Sequence, residues 1–365
     1  MELNTNQLTL SWLNSAKGIG NGKIKYLLEY FNSPEAVWDN FSSEINNLTE
    51  LSQDTKDYLI KTKRNFPDYI ENKLNEENAS IVTFFDEDYP KRLINIDIPP
   101  YILYYKGNIN EINNLTIAIV GSRKATKYGM SMAEKFTKEL SELGVNIVSG
   151  LAYGIDGIVH RTAIKNNALT YGIIGCGIDM VYPKSNEYLY KNIVESHGAV
   201  ITEFPFNMQP LPYNFPIRNR IISGLSNGVL VIEAQQKSGT LITASHAAEQ
   251  GREIFAVPGN INSLYSKGTN LLIKDGAKIT TCVEDIVEEI LELKSVFNKS
   301  KNEFRYDLNE EENKIINLLK TGEKTIYEIA EEIDMDVSDI LSNLTILEMK
   351  DVVKQMPGNK FFVDN

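Results

Sequence analysis

The chain has 365 residues, of which 42% are hydrophobic and 24% are charged, proportions typical of a globular protein with two or three domains. The sequence has no run of about 18 apolar residues and no basic segment followed by an apolar core at its start, so we expect neither a membrane-spanning helix nor a secretory signal and predict a cytoplasmic protein. The net charge of −12 lies mostly towards the ends, because residues 115–292 carry 16 basic and 17 acidic side chains, a net of −1.

Residues 1–75 predict a small helical domain. Apolar side chains recur at helical spacing before and after a Gly18-Ile19-Gly20 loop. A glycine loop between two helices is similar to a helix-hairpin-helix, whose loop amides can hold a DNA phosphate. The sequence favours the simpler interpretation, a helical packing domain without that role.

Residues 76–293 predict an extended Rossmann-like domain. Two short strands flank a proline-containing connection within residues 76–114, which is consistent with an extension of a neighbouring sheet. From Leu115 onwards, apolar strands alternate with segments of helical period, and this alternation is typical of a mostly parallel sheet that helices cover on both faces. The strand-like runs are TIAIVG, VNIVSG, TYGIIG, GAVITEF, GVLVIEA and EIFAVPG.

The end of the chain predicts a third domain after a linker. Residues 294–308 are polar and aperiodic, as expected of a linker, and residues 309–365 contain three helical stretches followed by a hairpin. The predicted turn of that hairpin is Pro357-Gly358-Asn359. Three helices and a hairpin predict a winged helix.

Glycine turns and basic side chains follow the predicted strands. In an open α/β sheet, ligands bind at the carboxyl ends of the strands. The first strand leads to Gly121-Ser122-Arg123-Lys124, where the turn and the next helix N-terminus are suited to phosphate. The basic residues of the strand-end loops should therefore share one rim and predict an anion site longer than one phosphate: Arg123, Lys124, Lys184, Arg218, Arg220 and Lys237.

Two aromatic residues lie in loops beside these arginines. Phe215 and Phe206 could stack on bases without reading their sequence, although Phe215 could equally pack its loop against the sheet. Asn219, between two arginines, could bind a phosphate or cap a helix. The residues alone leave both alternatives open.

Catalytic motifs are not found in the sequence. The three histidines show no metal-ligand spacing, no G-x-S-x-G is present, and Lys237-Ser238-Gly239-Thr240 has the elements of a Walker A motif in the wrong order. Asp156 and Glu203 could form a carboxylate pair, but Asp156 is better explained by the first turn of a helix. Cys176 is expected to be a reduced core thiol. We therefore predict a non-catalytic protein without a metal or cofactor.

The strand-end motifs resemble those of the DNA-processing protein A family, also called Smf, of bacterial natural transformation. The motifs that carry the resemblance are GSR, SGLAYGID, YPKSN, FPIRNRIISGL, SGTLITA and VPGN, and the similarity covers residues 80–292. The N-terminal part looks like the family's sterile-alpha-motif or helix-hairpin-helix region, and the C-terminal part looks like its winged helix.

This resemblance implies a dimeric protein that binds single-stranded DNA, protects incoming DNA and loads RecA recombinase onto it. By similarity, the DNA groove would be lined by Gly121, Ser122, Arg123, Lys124, Lys184, Phe215, Arg218, Asn219, Arg220, Ser238, Gly239 and Thr240. The family's self-association region would correspond to residues 263–276, with Leu271, Leu272 and Ile273 as apolar contacts.

Two other functions stay open at this point. The Rossmann-like plan is similar to nucleotide hydrolases of the lysine-decarboxylase-like group, but Thr240 is followed by Leu241-Ile242-Thr243-Ala244 and not by the acidic residues of their loop. A sensor of a soluble nucleotide is the second alternative. The winged helix is acidic, with 11 acidic and 4 basic residues between Asn309 and Lys350, so we predict that it contacts protein and does not read DNA.

Overall fold

The chain divides into two compact units, Met1–Leu293 and Lys294–Asn365. The computed structural model describes residues 3–297, 309–350, 352–356 and 358–363. The predicted helical domain therefore belongs to the same compact unit as the sheet. Residues 294–297 of the predicted linker are helical and continue a helix that begins at residue 291, while residues 298–308 lie outside the described residues.

Helices make up the first part of the larger unit. Asn4, Ser33 and Ser52 cap three of them, each side chain accepting a hydrogen bond from a backbone N–H of the first turn. Apolar side chains of this region join one core with the sheet residues Ile102 and Tyr104. The helices are α1 (Thr5–Ser15), α2 (Asn21–Phe31), α3 (Pro34–Glu44), α4 (Gln53–Lys63) and α5 (Phe66–Glu77), with a 3₁₀ turn at Ile45–Asn47.

A mixed sheet of nine strands forms the centre of this unit. It contains the six predicted strands, the two flanking the proline connection and a short strand at the far edge. Strands β3 to β9 are parallel, and β2 joins β1 and β6 in antiparallel pairing. The strands are β1 (Ser80–Thr83), β2 (Ile102–Gly107), β3 (Thr116–Val120), β4 (Asn146–Ser149), β5 (Thr170–Ile173), β6 (Ala199–Thr202), β7 (Gly228–Val231), β8 (Glu253–Ala256) and β9 (Lys278–Ile279).

Helices connect the parallel strands. Helices α7, α8 and α9 pack side by side, as do α10 and α11, and right-handed crossovers place these two groups on opposite faces of the sheet. The helices are α6 (Lys91–Ile94), α7 (Lys127–Glu142), α8 (Ile155–Lys165), α9 (Glu187–Glu195), α10 (Asn214–Gly224), α11 (Gly239–Glu249), α12 (Lys267–Lys274) and α13 (Glu284–Glu289), with a 3₁₀ turn at Lys184–Asn186. The predicted Rossmann-like fold is confirmed.

The strand order fixes where a ligand can enter. The sheet runs β1-β2-β6-β5-β4-β3-β7-β8-β9. From β3 the chain proceeds in one direction to β6, crosses back to β7 and continues in the other direction to β9. The topological switch point thus lies between β3 and β7, where the loops after the two strands diverge and leave a crevice at their carboxyl ends.

The smaller unit is a winged helix, as predicted. Its described elements are α14 (Glu310–Leu319), β10 (Lys324–Thr325), α15 (Ile326–Ile333), α16 (Val337–Met349), β11 (Val353–Met356) and β12 (Lys360–Val363). The strand order is β10-β12-β11, all antiparallel. In the predicted hairpin turn, Gly358 and Asn359 have positive φ, and Pro357 lies outside the described residues.

Candidate functional site

A cleft of about 580 Å³ opens at the switch point. The loop after β3 forms one wall, the start of α11 forms the other, and the start of α10 closes the base. Most of the predicted site residues therefore meet in one place. The lining includes Gly121, Ser122, Arg123, Lys124, Ala152, Asp156, Tyr182, Phe215, Arg218, Asn219, Gln235, Ser238, Gly239 and Thr240.

Gly121 is required by close approach of two loops. A Cβ at this position would lie 2.6 Å from Cγ1 of Ile155, the first residue of α8, and the backbone N–H of Ile155 donates to the Ser122 carbonyl oxygen at 3.2 Å. Gly154, at φ +73°, could not carry a Cβ either, because it would lie 2.3 Å from the same carbonyl oxygen. The loops after β3 and β4 thus form one rigid wall.

The N-terminus of α7 already has an anionic partner. The Glu233 carboxylate, only 2% exposed, accepts hydrogen bonds from the Thr126 backbone N–H at 3.0 Å and from the Thr126 hydroxyl at 2.5 Å. The expectation that this helix offers free N–H groups to a phosphate is therefore wrong. Sequence reasoning missed Glu233, although it follows β7 within the same strand-end pattern.

The N-terminus of α11 faces the cleft without such a partner. The Ser238 side chain makes no capping hydrogen bond, and its buried hydroxyl oxygen has no hydrogen-bond partner in the part of the chain that the structure describes. Gly239 is exposed, and a Cβ added to it would meet no atom within 4 Å. First-turn N–H groups of a helix attract anions, so Ser238, Gly239 and Thr240 form the open anion site of the cleft.

Two exposed cations and an aromatic pair stand opposite this helix. Arg123 and Lys124 are exposed. The Arg123 guanidinium carbon lies 5.2 Å from the centroid of the Phe215 ring, which in turn lies 5.6 Å from the Tyr182 ring. Phe215 is half-buried, and a Cβ on Gly175 would come within 3.1 Å of it. The Phe215 ring therefore packs against the protein on one side and also makes a cation–π contact with Arg123.

Arg218 supports the base of the cleft from inside. It is 4% exposed and donates to the backbone carbonyl oxygens of Gly150 and Ile173 and to Oδ1 of Asn219. Burial lowers the Arg218 pKa to about 10, an effect that the Asp156 carboxylate opposes. Burial also raises the Asp156 pKa, and Arg218 opposes that rise. Arg218 is still cationic at neutral pH, but its donors bind the protein itself.

Asn219 links α10 to the start of α11 by hydrogen bonds. Its Nδ2 donates to the Gly239 carbonyl oxygen at 3.1 Å while its Oδ1 accepts from Nε of Arg218 at 3.2 Å. Neither alternative raised by the sequence, a phosphate contact or a helix cap, describes this arrangement. The side chain fixes the start of α11 relative to the base of the cleft.

Arg220 does not reach the cleft, contrary to expectation. Its guanidinium makes a two-pronged ion pair with the Glu203 carboxylate, at 2.8 and 2.6 Å, and both side chains are buried. Asn21 Nδ2 donates to the same carboxylate at 2.7 Å. Arg218 and Arg220 are two residues apart, yet both turn inward. The sequence showed basic residues beside the cleft but not the carbonyl and carboxylate groups that bind them.

Other predicted residues lie outside the cleft lining. Lys184 and Lys237 are exposed, and they lie two residues after Tyr182 and one residue before Ser238. Phe206 is buried with its ring 5.5 Å from Tyr104, so the idea that Phe206 stacks on a base is wrong. Leu271, Leu272 and Ile273 are half-buried on α12, and Leu272 packs against the sheet core.

Exposed tyrosines around the cleft were missed as site residues. Tyr153, Tyr182 and Tyr213 expose 50%, 42% and 62% of their surface. Each follows a strand end or precedes α10, and the aromatic residue within the Gly150–Gly154 loop was the available signal. Exposed rings beside cations suit flat, anionic ligands.

Two further titratable residues considered in the sequence, His160 and Cys176, lie in the core. Burial lowers the His160 pKa to about 3 and raises the Cys176 pKa to about 12, so both side chains are neutral at pH 7. Among the described residues, no cluster of three or more His, Cys, Asp or Glu side chains could hold a metal ion. No helix of the described ranges is long and apolar enough to cross a membrane.

Comparisons with known proteins agree with this geometry. The family model of DNA recombination-mediator protein A matches residues 80–291, and a model of the DprA winged helix domain matches residues 305–359. Protein Smf of Escherichia coli is 42% identical over 217 residues, which cover 60% of this chain and 58% of that protein.

Two solved structures share the fold. The X-ray structure of DNA processing protein A from Streptococcus pneumoniae superposes with a TM-score of 0.67 at 33% identity, covering 80% of this chain and 99% of that one. The Helicobacter pylori protein, whose structure was described for its single-stranded DNA binding mode, gives a TM-score of 0.53 at 29% identity, covering 59% and 96%. Since the family model matches more than half of the chain, the protein belongs to the DNA recombination-mediator protein A family, whose relatives are named DprA or Smf.

Proposed function

We propose that this protein binds single-stranded DNA in the switch-point cleft, without catalysis, and processes incoming DNA in natural transformation. One observation carries the proposal. The exposed Arg123 and Lys124 face the open N-terminus of α11 across a single cleft that contains aromatic rings. The single-stranded DNA binding named for the Helicobacter pylori relative supports the same ligand class.

The chemistry follows from these groups. The Arg123 guanidinium can hold one phosphate in a charge-assisted pair, and the first-turn N–H groups of α11 can hold another. Phe215 and Tyr182, which line the same cleft beside Arg123, offer aromatic surface to the bases. Stacking and phosphate contacts do not distinguish bases, so the cleft should bind a single strand with little sequence preference.

The buried residues have a different part in this proposal. Arg218 and Asn219 hold the cleft walls in place through bonds to Gly150 and Gly239. Arg220 keeps α10 attached to β6 and α2 through Glu203 and Asn21. We assign these side chains to positioning, and direct DNA contact to Arg123, Lys124, Phe215 and the start of α11. Lys184 remains a proposed contact at the edge.

Dimerisation and RecA loading belong to the proposal as well. Helix α12 presents Leu271 and Ile273 half-buried, beside Leu264, which is 61% exposed. An apolar face of this kind suits a second copy of the chain. Light scattering of wild type and Ile273→Glu tests the dimer. Filament assembly of RecA recombinase on coated single strands, with and without the protein, tests the loading.

The ligand class is tested by competition in solution. Fluorescence anisotropy with oligo-dT, duplex DNA and mononucleotides should show tight binding to oligo-dT alone. Binding of mononucleotides with equal affinity would favour a nucleotide sensor. Release of free base from nucleoside monophosphates would favour the hydrolase alternative.

A further inference from the structure

A basic groove leaves the cleft between α7 and α8. It is formed by a cavity of about 600 Å³ whose lining includes Lys135, Lys138, Arg161 and Lys165, with Glu134 as the acidic member. All five side chains are exposed. The lining carries four cations and one carboxylate, and Glu142 pairs with Lys138 beside it at 3.6 Å, so this groove is net positive in a chain whose net charge is −12.

The groove is continuous with the switch-point cleft. An intermediate cavity of about 370 Å³ shares Arg123 and Lys124 with the cleft and shares Ile158 and Arg161 with the groove. Tyr153, exposed by 50%, lines this intermediate cavity. Arg123, Tyr153 and Arg161 therefore border one series of cavities that leads from the cleft to the groove.

Two of the four groove cations, Arg161 and Lys165, make no ion pair within the described ranges, whereas Lys138 pairs with Glu142 at 3.6 Å. No carboxylate of the described ranges lies within 4.0 Å of the Arg161 or Lys165 nitrogens. Arg161 donates to the Tyr188 hydroxyl at 2.9 Å, which holds the guanidinium at the surface. This differs from Arg218 and Arg220, whose guanidinium groups are bound by protein oxygens.

We propose that the α7–α8 groove is a second segment of the nucleic-acid path, in which Arg161 and Lys165 bind phosphates of a strand that extends from the cleft. This inference rests on the proposed function of the cleft. Helix α8 has 11 residues, so the groove beside it adds about 16 Å of path. At one phosphate per about 3.4 Å of strand, that length accommodates at most roughly five phosphates.

The test uses oligonucleotide length in the full chain. Oligo-dT of about 4 and about 16 nucleotides spans the range of site sizes known for single-strand-binding folds. The variant is Arg161→Ala/Lys165→Ala. The matched control is Arg64→Ala/Lys61→Ala, which removes the same charge from two exposed residues at the end of α4, away from the path.

The expected result depends on length. The groove variant should bind the short oligonucleotide like wild type, and it should bind the long one several-fold more weakly. The slope of log affinity against log salt should fall by roughly 1.4, which corresponds to two lost phosphate contacts. The control should match wild type with both.

Two results would overturn the groove assignment. In the first, the groove variant binds the long oligonucleotide with the affinity and salt slope of wild type. In the second, the groove variant loses the same factor of affinity for the short and the long oligonucleotide. Failure of the wild-type protein to bind either oligonucleotide would instead contradict the function of the cleft itself, so the two failures are distinguishable.

Discussion

The switch-point cleft and the third helix of the winged helix are both surfaces from which related folds contact nucleic acid, but their chemistry is opposite. The cleft combines exposed cations with an open helix N-terminus. Helix α16 exposes Val337, Leu341, Ile346 and Met349. Its surroundings are acidic, with 11 acidic and 4 basic residues between Asn309 and Lys350.

This difference teaches that the position of charge matters more than its total. A net charge of −12 argues against a polyanion as ligand, yet the cleft and the adjoining groove are locally basic. In the winged helix, fold alone would suggest a DNA reader, and the acidic, apolar surface of α16 argues for a protein partner. The cleft should therefore bind DNA, and the winged helix should not.

The largest expected effect separates buried from exposed arginines within the cleft unit. Arg220→Ala leaves the Glu203 carboxylate buried without its cation, and we expect it to lower the free energy of unfolding by about 3–5 kcal/mol. Arg123→Ala, the matched substitution at an exposed site, should change it by less than about 0.5 kcal/mol. Denaturant unfolding of both variants measures this. Equal stabilities of the two variants would show that the Arg220–Glu203 ion pair does not stabilise the fold.

Glycines of the two cleft walls should differ in the same way. Gly121→Ala places a Cβ 2.6 Å from Ile155, and we expect a loss of about 1–3 kcal/mol of stability together with weaker oligo-dT binding. Gly239→Ala, which meets no atom within 4 Å, is the control and should unfold like wild type. A Gly121→Ala protein as stable as wild type would mean that the two loops can separate.

Acid should destabilise the two units in different pH ranges. The His160 pKa is about 3 in the folded state and about 6.5 when unfolded, so the unfolded state binds the extra proton and stability falls as pH drops below about 6.5. At pH 5 the loss is about 2 kcal/mol. In the winged helix, hydrogen bonds to Lys350 and Asn309 lower the Glu312 pKa, and stability there should fall only below about pH 4.5.

Thermal unfolding of wild type and His160→Gln between pH 7 and 5 checks this difference. The variant should lose its pH dependence in that window, because no proton is taken up at position 160 on unfolding. An unchanged slope in the variant would assign the acid sensitivity to other groups.

The smallest expected effect concerns the winged helix. A chain ending at residue 293 should bind oligo-dT with the affinity of the full chain, because the proposed contacts all lie in the first compact unit. The isolated segment 305–365 should not bind DNA in low salt. Binding by that segment, once circular dichroism shows it to be folded, would remove the contrast between the two surfaces.

Much of the fold follows from the sequence. The runs from TIAIVG to EIFAVPG are mostly apolar, as is typical of buried parallel strands, and all six form strands of the central sheet. The strand-end rule also brought Gly121, Arg123 and Ser238 to one edge, where the structure has them. Local pattern was sufficient because strand burial and strand ends are local properties.

Side-chain direction was not predictable in the same way. Arg218, Asn219 and Arg220 lie within one turn of α10, and their partners lie on β5, at the start of α11 and directly after β6. Glu233 binds the start of α7, more than 100 residues earlier in the chain. These contacts depend on segments that are distant in the sequence. The sequence therefore could not distinguish a basic side chain that is open to a ligand in the cleft from one whose donors bind protein oxygens.

Arg123 provides the most direct test of the central claim. Oligo-dT affinity should be measured by fluorescence anisotropy at several salt concentrations for wild type, Arg123→Ala and the control Lys61→Ala. Loss of one charge-assisted contact predicts an affinity lower by roughly tenfold to a hundredfold and a salt slope lower by about 0.7. The control should behave like wild type. Unchanged affinity and slope for Arg123→Ala would contradict DNA binding in the cleft.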